Sequence, residues 1–254
     1  MSENENNGRR FFIVTVGRTG SSLLSAILSD AGADFGIPKE EAWEPSDGAY
    51  EHPELDAVVQ HFQYMTEIGN CRPNDLIPRI KWTIARHQAK AGLKALLSKA
   101  TYLKGELYHL VHWSFRLGFY PTVIVSFRRF GEVLQSLGHL HPQPPSYHAE
   151  KYDLTMRNGL AFANIYGGCA IDYQELVDLR ETGWAVALSQ STGLTEESLL
   201  SARGKLVSGF NYVPIDVVEP FPTCQATYEK LCEVKGSFLP PSRATIRALK
   251  NKGE

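Results

Sequence analysis

The residues near the amino terminus that are best suited to chemistry form a short turn, Gly17–Ser22 (GRTGSS), directly after the apolar run Phe11–Val16 (FFIVTV). Such a run predicts a buried strand, and the apolar residues after the turn recur at helical spacing. Backbone N–H groups at a helix start are unpaired and attract anions. The turn adds a guanidinium, two hydroxyls and two conformationally permissive glycines: Arg18, Ser21, Ser22, Gly17 and Gly20. We therefore predict a phosphate or sulfate site here; the alternative is a plain strand–turn–helix corner capped by serines.

Two common nucleotide-binding loops do not fit this turn. A Walker A loop has the pattern GxxxxGK[ST], whereas only two residues separate Gly17 from Gly20 and no lysine precedes the serines. The turn does not match the dinucleotide fingerprint GxGxxG either, which disfavours a nicotinamide cofactor. We expect an anion site without the P-loop lysine and without the Mg²⁺-binding serine that follows it.

A second segment, residues 123–137 (VIVSFRRFGEVLQSL), repeats the order of apolar strand, basic residue and helix. Arg128 stands at the predicted carboxyl end of the strand, where open α/β sheets bind ligands. Ser136 follows eight residues later, on the predicted helix. The segment predicts a second anion contact; the alternative is a surface arginine and a solvent-exposed serine.

Together the two segments resemble the sulfotransferases that use 3′-phosphoadenosine-5′-phosphosulfate (PAPS), among them bacterial and carbohydrate-acting members. In that family a [KR]xGx[ST] core after the first strand holds the 5′-phosphosulfate, and RTGSS matches it. A later arginine, with a serine eight residues on, holds the 3′-phosphate, and the acidic residue four positions after the arginine is Glu132 here. The resemblance therefore implies these donor-binding residues: Arg18, Thr19, Gly20, Ser21, Ser22, Arg128 and Ser136.

The resemblance spans about residues 11–180 and is patchy between its motifs. The segment AIDYQELV, residues 170–177, resembles a downstream YEDL segment of the family. The Asp-Pro pair that usually follows the arginine of the second motif is absent after Arg128. The family's tryptophan after the first loop is Leu23 here, so its adenine contact cannot be transferred to this chain.

Sulfuryl transfer requires a base for the acceptor hydroxyl and cations that neutralise charge on the transferring group, so we predict no metal. Cytosolic members of the family carry a K-x-H strand end, and residues 102–107 (YLKGEL) resemble it. The resemblance places Lys104 near the sulfuryl group together with Arg18, and puts Glu106 at the position of the base. The alternatives are a surface lysine and an acid in the first turn of the next helix. Glu51 in GAYEHPEL is a competing base or a solvated loop acid, and His52 is a weaker candidate.

Strand-like segments recur along the chain, each followed by a helix-like segment, which predicts a parallel sheet with helical crossovers. The predicted strands are residues 11–16, 101–104, 122–127 and 167–173. We predict a three-layer α/β/α sandwich related to the P-loop NTPases, as a single sulfotransferase domain over residues 10–254. Residues 1–9 are predicted to be disordered, residues 33–80 to form an irregular acceptor-side loop, and residues 141–150 a proline-rich loop.

Composition narrows the class of protein. The 254-residue chain is 43% hydrophobic and 21% charged with a formal net charge of −2, which is typical of a globular domain and disfavours general nucleic-acid binding. The four cysteines form no CxxC pair, which predicts reduced thiols. The polar start MSENENNGRR does not match a signal peptide, and no apolar run is long enough for a membrane span. We therefore predict a cytoplasmic protein.

The predicted substrate is a small-molecule or carbohydrate acceptor with a hydroxyl group. Two other functions fit parts of the pattern. A P-loop kinase for a small molecule would share the sheet and the anion turn, but would require Mg²⁺ ligands and a P-loop lysine. A non-catalytic descendant would bind the nucleotide and transfer nothing.

Overall fold

The computed structural model describes residues 8–38, 50–69, 76–137, 143–207 and 220–250, which form an α/β fold around one five-stranded sheet. The strands are β1 (Arg9–Val14), β2 (Tyr102–Gly105), β3 (Tyr120–Phe127), β4 (Gly168–Asp172) and β5 (Phe238–Leu239). Their order across the sheet is β2-β1-β3-β4-β5. The first four are parallel to their neighbours, and β5 pairs antiparallel with β4. The prediction of a mainly parallel sheet is confirmed.

Helices cover both faces of this sheet. Those within the described residues are α1 (Ser21–Asp30), α2 (Leu55–Gly69), α3 (Leu76–Lys99), α4 (Tyr108–Arg116), α5 (Phe130–Leu137), α6 (Pro145–Tyr166), α7 (Tyr173–Val177), α8 (Gly183–Thr192), α9 (Glu196–Val207), α10 (Pro222–Cys232) and α11 (Arg243–Lys250). Alternate residues of a strand point to opposite faces. Phe12 and Val14 join one core with α2–α6 and α10, whereas Phe11 and Ile13 join a second core with α1 and α7–α9. These are the three layers of an α/β/α arrangement.

The prediction of an irregular region over residues 33–80 was wrong in part. Helix α2, Leu55–Gly69, lies within this range, and α3, Leu76–Lys99, begins inside it. Helix α2 buries Leu55, Val58, Phe62 and Met65 at three- and four-residue spacing. Polar and proline-containing segments on both sides of this spacing obscured it. Residues 39–49 and 70–75 lie outside the described residues.

Two other boundaries differ from the predictions. The proline-rich segment at 141–150 ends in helix, because α6 begins at Pro145 with a proline in its first turn, where a missing N–H costs nothing. The predicted disordered start extends too far, because Arg9 is part of β1 and its guanidinium donates to the carbonyl of Ser191 at 2.8 Å. Residues 1–7 and 138–142 lie outside the described residues.

The sheet topology brings the predicted site segments together. Since β1, β2, β3 and β4 are parallel, their carboxyl ends lie on one edge, with Val14 in register with both Gly105 of β2 and Val125 of β3. The chain order reverses at β1, between β2 and β3, which is the position where open α/β sheets form a ligand crevice. In the described residues, no helix combines the length and hydropathy needed to cross a bilayer.

Candidate active site

The turn after β1 has an unusual backbone. Arg18 has φ 69° and Gly20 has φ 84°, both in the left-handed region. Glycine adopts this conformation freely, whereas an arginine there is strained, and such strain clusters at functional sites. Gly20 is the residue before α1 and has no side chain to cap it, and the first turn of α1 contains no acidic residue. The helix end can therefore offer its backbone N–H groups to an anion.

Thr19 fixes the turn from inside. Its side chain is fully buried, and its hydroxyl contacts Thr15 Oγ1 and donates to the Val16 carbonyl at 3.1 Å. Ser126 of β3 donates to the Thr19 carbonyl at 3.4 Å, which ties the turn to the neighbouring strand. The Thr19 hydroxyl is therefore directed into the protein, and only the backbone of this residue can face a ligand. Ser21 is also buried, whereas Ser22 is half-buried.

The two predicted anion segments meet. Arg18 Nε donates to Ser136 Oγ at 3.0 Å, although the two residues are 118 positions apart in the chain. The hydrogen bond joins the turn after β1 to α5, the helix that follows β3. This contact brings Arg18 and Ser136 together at the carboxyl edge of the sheet.

Arg128, directly after β3, is held from several sides. Its Nε donates to Glu132 Oε2 at 2.6 Å, and the two side chains are only 12% and 1% exposed. The other oxygen of Glu132 accepts from Gln174 Nε2 at 3.0 Å. The Tyr152 hydroxyl donates to the Arg128 carbonyl at 2.7 Å. The Arg128 guanidinium carbon lies 4.5 Å from the centre of the Tyr173 ring, within cation–π range.

Tyr173 connects the two segments a second time. Its ring packs against Gly20 so closely that a Cβ on Gly20 would lie 2.1 Å from it, which requires glycine at that position for space as well as for φ. Burial raises the pKa of the Tyr173 hydroxyl, and the positive charges of Arg128 and Arg18 act in the opposite direction. Tyr173 thus contacts both the turn after β1, at Gly20, and the residue after β3, Arg128.

Lys104 is buried at the end of β2. Its side chain is only 3% exposed, and its Nζ donates to Ser22 Oγ at 3.1 Å. This position excludes the alternative of a surface lysine. A cation removed from water interacts more strongly with a nearby anion, because the surrounding dielectric is lower. Lys104 therefore adds positive charge directly beside the turn at Gly20.

Glu106 lies in the turn between β2 and α4, before the helix begins at Tyr108. Its side chain is 40% exposed, and its Oε1 is 2.7 Å from the Nζ of Lys151 on α6. The ammonium of Lys151 orients this carboxylate, two residues beyond Lys104.

Glu51 and His52 lie in the loop before α2. Leu55 packs against Gly105, where a Cβ would lie 3.2 Å from Leu55 Cδ2, so this loop lies beside the end of β2. Glu51 is half-buried. His52 is buried, burial lowers its pKa, and its Nδ1 accepts from the Glu54 N–H at 3.2 Å. A neutral ring with an accepting Nδ1 has its proton on Nε2, so neither nitrogen is free to take another proton. His52 is therefore less suited to accept a proton than Glu51 or Glu106.

The remaining histidines and cysteines do not form a metal centre within the described ranges, where no group of three or more His, Cys, Asp or Glu side chains could hold an ion. His112 Nδ1 lies 2.7 Å from the Tyr166 hydroxyl, and burial lowers the pKa of His109. Cys169, Cys224 and Cys232 are free thiols, and Cys71 lies outside the described residues.

Sequence reasoning missed four residues of the site: Lys151, Tyr152, Tyr173 and Gln174. Tyr173 and Gln174 belong to AIDYQELV, and their position directly after a predicted strand could have placed them at the carboxyl edge. Lys151 and Tyr152 lie on α6, which the proline-rich pattern concealed. The available signal was a proline in the first turn of a helix.

No protein-family model, no curated protein and no solved structure matches this chain.

Proposed function

We propose that the protein is a PAPS-dependent sulfotransferase with a P-loop-NTPase-like fold. It transfers a sulfuryl group to a hydroxyl of a small-molecule or carbohydrate acceptor. The observation that carries this proposal is the 3.0 Å hydrogen bond from Arg18 Nε to Ser136 Oγ. It joins the two segments whose motifs were assigned to opposite ends of one nucleotide. A nucleotide phosphorylated at both its 3′ and 5′ positions needs two anion sites within one crevice.

The turn after β1 provides the 5′ site in this proposal. The uncapped start of α1, without acids in its first turn, suits a phosphosulfate through backbone N–H groups and the helix dipole. Arg18 and the buried Lys104 add two cations on the same side. Ser22 accepts from Lys104, so its hydroxyl proton is available for a ligand oxygen.

Arg128 and Ser136 provide the 3′ site. Arg128 pairs with Glu132 through its Nε, and its planar guanidinium has the fork geometry that matches a phosphate. Tyr173 below the guanidinium and Tyr152 at its backbone restrict the arginine to one position. Binding then costs little ordering of this side chain.

In the proposed reaction, a carboxylate near the end of β2 acts as the base. Glu106 takes the proton of the acceptor hydroxyl, and the acceptor oxygen forms the new bond to sulfur. The bond between sulfur and the bridging oxygen breaks, and its electron pair stays on the 5′-phosphate of adenosine 3′,5′-bisphosphate. Lys104 and Arg18 neutralise charge on the transferring group and on the leaving oxygen. Lys151 holds the Glu106 carboxylate in place, and Glu51 is the alternative base.

Binding of adenosine 3′,5′-bisphosphate tests the site. We expect the bisphosphate to raise the melting temperature without Mg²⁺. Arg128→Ala should weaken calorimetric binding by about 1.5–3 kcal/mol, as for a lost charged hydrogen bond. Arg157→Ala is the matched control, because Arg157 pairs with an acid four residues away on the exposed side of α6. If the Arg128→Ala variant and the wild type bind the bisphosphate with equal affinity, Arg128 does not contact the nucleotide.

The same assays separate the two other functions. A kinase would be stabilised by Mg²⁺ and ATP in preference to the bisphosphate. A non-catalytic descendant would bind the bisphosphate but would form no sulfated product from PAPS with any acceptor in a panel of sugars, phenols and lipid alcohols. Acceptor-dependent release of the bisphosphate from PAPS is the result expected of the sulfotransferase.

A further inference from the structure

Helix α3 is the most strongly basic element of the described chain. Its 24 residues, Leu76–Lys99, include six lysines and arginines and no aspartate or glutamate. Within the described part of the chain, the ion pairs of α3 involve only Lys99, which contacts Glu54. The other five cations, Arg79, Lys81, Arg86, Lys90 and Lys94, are not neutralised by neighbouring carboxylates there. This helix therefore presents a positive surface that attracts anions.

Two of these cations, Arg86 and Lys90, lie against aromatic rings rather than acids. The guanidinium carbon of Arg86 lies 5.1 Å from the centre of the Trp82 ring, and Lys90 Nζ lies 5.3 Å from that of Trp113. Arg116 of α4 lies 5.9 Å from the same Trp113 ring. Cation–π contacts hold these like charges close together without cancelling them. The positive charge thus extends from α3 onto α4.

Large apolar side chains are also exposed on α3 and on its neighbour α2. Ile80 and Ile84 are 51% and 53% exposed, and their four-residue spacing puts them on one face of α3. On the adjacent helix α2, Tyr64 is 49% exposed. Cations beside exposed apolar side chains suit an anionic bilayer surface, where the cations lie at the headgroups and the apolar side chains enter the interface.

The opposite side of α3 is anchored in the fold. Ala85, Ala89, Leu93, Leu96 and Leu97 are buried in the core beneath the sheet. A partner that wraps around a basic helix would have to extract these residues, which would cost most of the packing of α3. A flat partner that contacts only the outer face avoids this cost. This favours a surface over an enclosing protein groove.

We propose that the outer face of α3, defined by Arg79, Ile80, Lys81 and Ile84, docks the protein on a bilayer of anionic lipids. The negative surface potential of the bilayer attracts the cations, and the isoleucines insert at the boundary between headgroups and acyl chains. Nucleic acid would also be attracted to the cations, but its charged phosphate backbone forms no favourable contact with exposed isoleucines. The docking does not depend on sulfuryl transfer.

Vesicle flotation with the full-length protein tests the proposal. We expect binding to vesicles of phosphatidylcholine mixed with phosphatidylglycerol and little binding to phosphatidylcholine alone, with a loss of bound protein at high salt. Arg79→Gln with Lys81→Gln should lower the partition coefficient about fivefold per charge. Ile80→Ser with Ile84→Ser should lower it at least about tenfold.

The matched control is Leu179→Ser with Ile246→Ser, because both side chains are exposed but neither lies on α3. Circular dichroism and melting temperatures would identify variants that fail to fold, and the two glutamine substitutions on exposed positions should leave both unchanged. Equal binding to neutral and anionic vesicles would overturn the proposal, as would an effect of the control equal to that of the isoleucine variant. Binding to single-stranded RNA but not to anionic vesicles would overturn it as well. Bisphosphate binding should be the same in all these variants, so a failure here is separate from a failure of the proposed activity.

Discussion

The buried pair of Arg128 and Glu132 allows the most stringent test of how the site is held. Glu132→Gln keeps the size of the side chain and its capacity to accept from Gln174, but it removes the negative charge beside the guanidinium. The pair is 12% and 1% exposed, so water screens it little. Removing one partner of a fully buried pair costs about 3–5 kcal/mol, and a lost charged hydrogen bond about 1.5–3 kcal/mol.

Arg128 retains the Tyr173 ring and some contact with water, which places the expected loss near the lower of these ranges. We expect Glu132→Gln to lower the free energy of unfolding by about 2 kcal/mol, or the melting temperature by about 4–8 °C in a chain of this size. Bisphosphate affinity should fall about two- to tenfold, because the guanidinium must then be ordered on binding.

Calorimetry and denaturant unfolding measure both quantities. Glu54→Gln is the control, since it removes the partner of Lys99 where both side chains are about half exposed, and it should leave the unfolding free energy unchanged. A double-mutant cycle with Arg128→Gln should show that the two residues are coupled. If Glu132→Gln is as stable as the wild type and binds the bisphosphate equally well, Glu132 does not position Arg128.

Three more predictions concern the turn, the base and a buried acid. Arg18→Gly and Arg18→Ala should both weaken bisphosphate binding. The free energy of unfolding should be about 1 kcal/mol higher for the glycine variant than for the alanine variant, because φ 69° strains alanine but not glycine. Equal unfolding free energies in chemical denaturation would contradict this strain. Glu106→Gln should lower PAPS turnover about 100-fold or more with unchanged bisphosphate affinity; a near-normal rate would assign the base to Glu51. Burial raises the pKa of Asp172 above its usual 3.8, so the folded state binds this proton more tightly than the unfolded state. The free energy of unfolding should therefore fall as the pH rises from about 3.8 to the higher pKa of the folded state. The melting temperature of the wild type relative to Asp172→Asn should therefore decrease across this interval, and a constant difference would show that Asp172 titrates normally.

Local patterns were enough for much of the scaffold. Strands β1 and β3 are central and buried on both faces, so they are continuous apolar runs that the sequence alone reveals. The glycine turn that follows β1 is likewise local, because glycines and serines at a strand–helix corner need no distant partner to be recognised. The placement of Arg128 at a strand end follows from the same pattern, since the strand and the helix after it are both strongly periodic.

Helices α2 and α6 could not be predicted in the same way. Helix α6 packs against the sheet and also against α4, α5 and α10, so its buried residues do not form one simple stripe. Those buried residues include Thr155 and Gly159 as well as Met156. The helix exists because neighbours cover several of its sides, and neighbours are a property of the fold.

What the sequence determined by itself is strands β1 to β4, the glycine turn after β1 and the identity of the charged residues near strand ends. The tertiary structure decided which of these residues meet: Arg18 with Ser136, Lys104 with Ser22, and Glu106 with Lys151. The physical reason is the range of the interactions. Strand and turn formation depends on dihedral preferences and burial periodicity within a few residues, whereas a hydrogen bond between residues 118 positions apart depends on the order of the strands and the packing of helices across the sheet.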